Sequence, residues 1–361
     1  MLIRMFPYCR VSAVLCLVLL LTDCFAPAQS AQSAEQFVFP THPRNILIID
    51  PVRDEIVQQI QTKGRLPKEL IPSPDGVHVY VTSEARHYIE VINLTTRKVE
   101  DTIELATPGT RLNIFGLAVS RKGDRLFAHV KQIKLLPDEF KVLPPEIWSI
   151  DIRTHEHKKI LQMPEGVVAL LAPKDENRLV VWGRDIYYID LAQGRIVDTV
   201  PLATRNTPSQ GPVDTLPFFI QYEQSGILSV PYYSHDPITN KDVFGMANLD
   251  VDTGKFELIE LGTPIPLYSS VVSPDRKRAY MVMNQLVVVD LEQRKIIAVR
   301  DLERTKYVAN ITRDGKKLYL PSAGAFVDVY DTASLKLIKR FPMPGDPSVS
   351  LLRAVPVAAA H

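Results

Sequence analysis

At 361 residues, with 46% hydrophobic and 23% charged side chains, the chain has room for one large domain or two ordinary ones and can bury a full core. Its 42 Lys and Arg stand against 41 Asp and Glu, a formal net charge of +1, and no basic run or stripe occurs. That balance argues against a nucleic-acid partner.

The first element is a leader. Arg4 and Arg10 precede the apolar run "VSAVLCLVLLL", and small residues follow in "APAQSAQSA". This is the layout of a signal peptide over residues 1–34, cleaved at about 28–34. The apolar run is short for a membrane span, so none is expected after cleavage. Cys9, Cys16 and Cys24 all lie in the leader. The mature chain therefore has no disulfide, no Cys nucleophile, no thiolate metal site and no covalent haem attachment of its own.

From residue 35 onward the sequence repeats. Seven times a strand ends in Asp or Asn, turns, and is followed by another strand, with corners at Asp50, Asn93, Asp151, Asp190, Asp250, Asp290 and Asp331. Asp and Asn suit those corners because their side chains accept bonds from the turn backbone. A second repeated element is a turn between apolar strands. It occurs as Ser73-Pro74-Asp75-Gly76, Ser120-Arg121-Lys122-Gly123, Ala172-Pro173-Lys174-Asp175, Gln224-Ser225-Gly226, Ser273-Pro274-Asp275 and Thr312-Arg313-Asp314-Gly315. Together they define a unit of four short antiparallel strands, named a to d, whose repetition predicts an all-β, seven-bladed β-propeller over 35–361. The mature chain starts with strands b, c and d and ends with an orphan a-type strand in "SVSLLRAVPV". Placing that strand in the first blade closes the ring and leaves no open edge.

Three inserts interrupt the repeat: 131–146 and 234–243 in b–c links, and 203–216 in a d–a link. Both kinds of link emerge on the same face of a propeller, so the inserts mark one face as the binding surface. The candidate pocket wall on that side comprises Asn113, Phe115, Tyr232 and Tyr233, and the candidate partner-facing rim comprises Phe140, Trp182, Arg184 and His235. His129 points toward the first insert. His155 and His157 lack a third ligand, so they read as a polar turn and no metal is expected. No catalytic motif is present: there is no G-x-S-x-G, H-E-x-x-H, Gly-rich phosphate loop or Cys-x-x-Cys.

Over roughly residues 36–355 the chain resembles the β subunit of quinohemoprotein amine dehydrogenase. The resemblance is carried by "IFGLAVSRKGDRLFAHV", the Pro-containing insert before "EIWSIDI", "WGRDIYYIDLAQGRIVD", "SGILSVPYYSHD" with "LDVDTGKFEL", and "FPMPGDPSVSLLRAV". More distantly it is similar to the methylamine dehydrogenase heavy chain and to surface-layer propellers. The resemblance implies a periplasmic heterotrimer oxidising primary amines to aldehydes. In it, cysteine tryptophylquinone sits on a small γ subunit and haem c on a di-haem cytochrome α subunit. The β propeller would be non-redox, holding the γ subunit and walling the substrate pocket, with no catalytic residue of its own. The competing expectation is a free-standing exported propeller, either a binding scaffold or a lactonase-like hydrolase.

Overall fold

The computed structural model describes residues 35–166, 169–205, 211–347 and 351–357. The expected leader, residues 206–210 of one insert and the first residues of the expected closing strand lie outside them. The first blade opens with β1 (Glu35–Thr41), β2 (Asn45–Asp50) and β3 (Glu55–Gln61). The second is β4 (Leu70–Pro72), β5 (His78–Ser83), β6 (Tyr88–Asn93) and β7 (Lys98–Glu104). The third is β8 (Thr110–Val119), β9 (Arg125–Leu135), the additional β10 (Phe140–Val142), β11 (Glu146–Asp151) and β12 (His157–Gln162). The fourth is β13 (Ala169–Leu171), β14 (Arg178–Trp182), β15 (Ile186–Asp190) and β16 (Arg195–Val200). The fifth is β17 (Val213–Thr215), β18 (Ile227–Asp236), β19 (Lys241–Asp250) and β20 (Phe256–Gly262). The sixth is β21 (Leu267–Val272), β22 (Arg278–Met283), β23 (Gln285–Asp290) and β24 (Lys295–Asp301). The seventh is β25 (Asn310–Ile311), β26 (Lys317–Ser322), β27 (Phe326–Asp331) and β28 (Leu337–Pro342).

The last strand, β29 (Arg353–Pro356), pairs antiparallel with β1 and completes the first blade, order β29-β1-β2-β3. The chain is a seven-bladed β-propeller, and no helix occurs among the described residues. The central residues of each b and c strand are buried on both faces because they are sandwiched between neighbouring blades. These strands accordingly read as runs such as "NILIID", "RLVVW" and "LVVVD" rather than strict alternations.

The corner residues act as the turn chemistry requires. Asp50 accepts from Val52 N at 2.8 Å, Asp151 from Thr154 N at 2.8 Å, Asp290 from Gln293 N at 2.7 Å and Asp331 from Ser334 N at 2.7 Å. In the a–b turn, Ser73 Oγ donates to Asp75 at 2.5 Å and accepts from His78 N at 2.9 Å. Ser273 with Asp275 and Thr312 with Asp314 repeat the first of these bonds at 2.6 Å each. Gly76 closes this turn at φ +72°, and a Cβ there would stand 2.5 Å from Pro356 O on the closing strand. Glycine is thus required twice, by conformation and by the seam of the ring.

The fifth blade departs from the repeat. "FFIQY" has the apolar character of its a strand, yet only β17 pairs there, with Tyr232, Tyr233 and Ser234. The following segment, 217–224, leaves the sheet and crosses the central channel. Phe219 packs among Phe37, Val308, Tyr319 and Leu352 of the first and seventh blades. The Tyr222 ring lies 5.4 Å from the Arg353 guanidinium, Glu223 forms an ion pair with Arg353, and Gln224 Nε2 reaches Glu35 at 2.5 Å and Ile311 O at 3.0 Å. Contacts with blades across the ring outweigh local pairing, and the segment plugs the channel.

Candidate functional site

The inserted face is built by lengthened strands rather than by loose loops. β9 runs on to Leu135 and is capped by β10, with Phe140 opposite Leu135 and Val142 opposite Ile133. Glu146 braces the base of this ribbon, accepting from Trp148 Nε1 at 2.8 Å, Lys159 Nζ at 2.6 Å and Gln132 Nε2 at 3.3 Å. The second insert is likewise a ribbon, β18 pairing with β19 out to Asp236 and Lys241. The third insert is stapled by Asp185, which is buried and accepts from Leu202 N at 2.7 Å, Thr204 N at 3.2 Å and Thr204 Oγ1 at 3.0 Å. Large apolar side chains are left exposed at the ribbon ends: Phe140 at 74%, Val142 at 54% and Ile238 at 67%. Exposed aromatic and aliphatic tips on one face fit a protein-contact surface.

Between the second ribbon, β17 and β20 lies a groove of about 520 Å³, in the range of small-molecule sites. Tyr232 lines it together with Arg205, Asp242 and Glu260. The ring of Tyr232 occupies the space where a Cβ on Gly245 would sit, 2.4 Å from its Cε1, so Gly245 is the seat of this tyrosine. Burial, reinforced by the Glu260 charge, pushes the Tyr232 hydroxyl up to about 12, which keeps it a neutral phenol across the physiological range.

The other expected residues distribute differently. Asn113 and Phe115 lie on β8 of the third blade, and the Tyr232 groove does not include them. Phe115 sits at a bulge, with the Arg86 guanidinium 5.0 Å above its ring and the His129 ring 6.2 Å away edge-on. Tyr233 does not open onto the groove. Its hydroxyl donates to Ile265 O at 2.8 Å and accepts from Leu267 N at 3.0 Å, tying the fifth blade to the sixth. Trp182, expected on the rim, is instead fully enclosed. It donates to Thr215 Oγ1 at 3.1 Å and meets Phe256 edge-on in the core between the fourth and fifth blades. A large indole at the end of β14 finds more burial against β17 than in solvent. Arg184 is exposed in the b–c turn, its side chain against Gly166, and His235 is exposed on the second ribbon, 3.0 Å from Asp242. His155 pairs with Asp101 at 2.9 Å, and His157 stacks on Trp148 at 4.6 Å. Among the described residues no three metal-ligating side chains converge.

Sequence reasoning missed Arg86. It follows Glu84 and Ala85 in the b–c turn of the second blade, and all three have left-handed backbones, φ 47°, 55° and 76°. Three successive non-glycine residues in that region are uncommon, and such strain gathers at functional sites. The turn delivers Arg86 to Glu69 at 2.9 Å and to the face of Phe115. Burial pushes the Glu69 carboxyl above the usual range, against the pull of Arg86 and Arg353. Nothing in "SEARHY" marks this geometry, because its cause lies in β8 of the next blade.

No protein-family model matches this chain, and no curated protein matches it. Solved structures do. Dihydro-heme d1 dehydrogenase NirN in complex with DHE superposes with a TM-score of 0.55 at 18% identity, over 90% of this chain and 75% of that one. A functionally unknown protein from Desulfotomaculum acetoxidans DSM 771 gives 0.59 at 14% identity, over 90% and 99%. Kuenenia stuttgartiensis hydrazine synthase gives 0.55 at 13% identity, over 84% and 90%. These likenesses establish the propeller fold. They leave the activity to be argued from the chain itself.

Proposed function

We propose that this chain is the non-redox β subunit of a periplasmic quinohemoprotein amine dehydrogenase. What carries this proposal is the inserted face, where the second ribbon and the stapled link line a groove and both ribbons expose apolar side chains. The exposed Phe140, Val142 and Ile238 would contact the γ subunit, and Arg184 and His235 would lie at the polar rim of the contact.

In this reading the quinone and haem groups belong to the partner chains, and amine oxidation takes place on the quinone. This chain contributes binding and shape. Tyr232 would offer a neutral hydroxyl as a hydrogen-bond partner for a substrate, and Asp236, Asp242 and Glu260, against Arg205 and Lys241, would tip the groove toward a cationic amine. Phe115, held by Arg86, would give an apolar wall nearer the channel.

The test is to coexpress the full chain with whichever di-haem cytochrome and small Cys-rich protein its neighbouring reading frames encode; the absence of both would contradict the proposal. The reading expects an assembled complex whose haem is reduced on adding a primary amine. Tyr232→Phe should raise KM for the amine more than it lowers kcat. Amine-dependent reduction by the two partner chains alone, unaffected by this chain, would contradict the proposal.

A further inference from the structure

The face opposite the inserts carries a second cavity, which the reading above does not use. Because segment 217–224 plugs the channel, the channel is blind from this side. Its mouth, among the a–b turns, is a cavity of about 360 Å³, floored by Tyr222, Glu223 and Arg353. Apolar wall comes from Ile71, Val119 and Val355. Turns or strand ends of six of the seven blades contribute, so the cavity is a product of ring closure.

Its charges are arranged unevenly. Arg121, Arg313 and Arg353 line it, with Lys174 just behind, against the carboxylates Glu35, Glu223 and Asp252. All three carboxylates are engaged by protein donors. Asp252 accepts from Arg121 Nη2 at 2.7 Å and pairs with Lys174 Nζ at 2.9 Å. Glu35 accepts from Gln224 Nε2 at 2.5 Å and from Arg313 N at 2.8 Å. Glu223 takes Arg353 Nε. A guanidinium has five N–H donors. Arg121 uses Nη2 on Asp252 and a long Nε bond of 3.4 Å to Pro173 O, which leaves its Nη1 edge for a ligand. Arg353 is 1% exposed, fixed by Glu223, by Leu70 O at 3.2 Å and by the Tyr222 ring. The carboxylates at the mouth are each held by protein donors, whereas Arg121 keeps an N–H edge with no partner among the described residues.

We propose that this blind mouth is a binding site for a small carboxylic acid with a short apolar tail. The carboxylate accepts from Arg121 at its Nη1 edge, and the tail lies on Ile71 and Val119. A bare inorganic anion would make no use of that apolar wall, and a primary amine would find the carboxylates already engaged by protein donors. Among cavities of this size the site suits ligands of aromatic-acid dimensions.

The probe is benzoate, titrated calorimetrically into the full exported chain, with inorganic phosphate and benzylamine as comparison ligands. The expected result is one benzoate per chain, bound more tightly than phosphate or benzylamine. Arg121→Gln, at a half-exposed turn position, should weaken benzoate roughly tenfold or more while leaving the melting temperature of the free protein close to the parent's. Val119→Asp should weaken benzoate and spare any residual phosphate binding. Tyr232→Phe, on the opposite face, should leave benzoate binding unchanged. Absence of benzoate binding, equal binding of phosphate or benzylamine, or indifference to Arg121→Gln would each overturn the proposal.

Discussion

His129 illustrates how a single buried side chain can make folding costly in acid. It lies on β9, is 3% exposed, and neither ring nitrogen has a hydrogen-bond partner among the described residues. Burial therefore pulls its pKa from 6.5 down to about 4, with Lys131 adding to the shift and Glu165 opposing it. The folded state keeps the imidazole neutral while the unfolded chain protonates near 6.5. The contribution of His129 to the pH dependence is thus absent above that pH and grows as pH drops from about 6.5 to about 4, where it costs about 3 kcal/mol. Urea unfolding of His129→Leu across that window should show a flatter pH dependence than the parent, and higher stability at pH 4. Gly245 makes a complementary case. An added methyl there meets Ile259 O at 2.1 Å and the Tyr232 ring at 2.4 Å, so Gly245→Ala should cost about 1–3 kcal/mol or more and distort the groove.

At the scale of elements, the d–a links are fixed by buried acids at the start of strand c. Glu90 accepts from Lys63 N and Gly64 N at 2.8 Å each and from Ser83 Oγ at 2.6 Å; Asp185 does the same service in the fourth blade. In the seventh blade Asp328 takes Lys306 Nζ and the Arg340 guanidinium, Nε at 2.6 Å and Nη2 at 3.0 Å, with Lys306 and Asp328 both fully buried. Removing one partner leaves a buried charge uncompensated, so Asp328→Ala should destabilise by about 3–5 kcal/mol in chemical denaturation, and adding Lys306→Met should recover part of the loss. The corners and a–b turns that frame these links are legible in the sequence, because Asp, Ser and Gly there act on residues two to five positions away. The staples are not. Glu90 and Asp328 interrupt apolar runs as if they were errors of pattern, and only the neighbouring link shows what they bind. The burial of Trp182 is hidden from the sequence for the same reason, since its partner Thr215 stands 33 residues on.

For the whole molecule, the count of blades and the closure by the C-terminal strand follow from repetition, which is local and recurs seven times. The plug across the channel occurs once, and an apolar run such as "PFFIQY" looks the same whether it pairs in a sheet or packs against the far wall. The candidate site was legible to the extent that inserts mark a face. The division between the Tyr232 groove and the Phe115–Arg86 cluster depends on ribbon lengths and on a strained turn that only three dimensions reveal. Closure joins the seam to the plug through Arg353, which lies on β29 and holds Glu223. Truncation after Pro347 should therefore do more than expose an edge: it should lower the melting temperature and open the channel, detectable as increased hydrogen exchange in both β1 and segment 217–224. The inserted face is proposed to hold a partner subunit. The most direct test of this is the light-scattering mass of whatever is purified through this chain after coexpression with the proteins of its neighbouring reading frames, compared between the parent and Phe140→Asp/Ile238→Asp. A heterotrimer with the parent, reduced to a free propeller of unchanged melting temperature in the variant, is the predicted result. A monomer with the parent, or a complex indifferent to both substitutions, would contradict it.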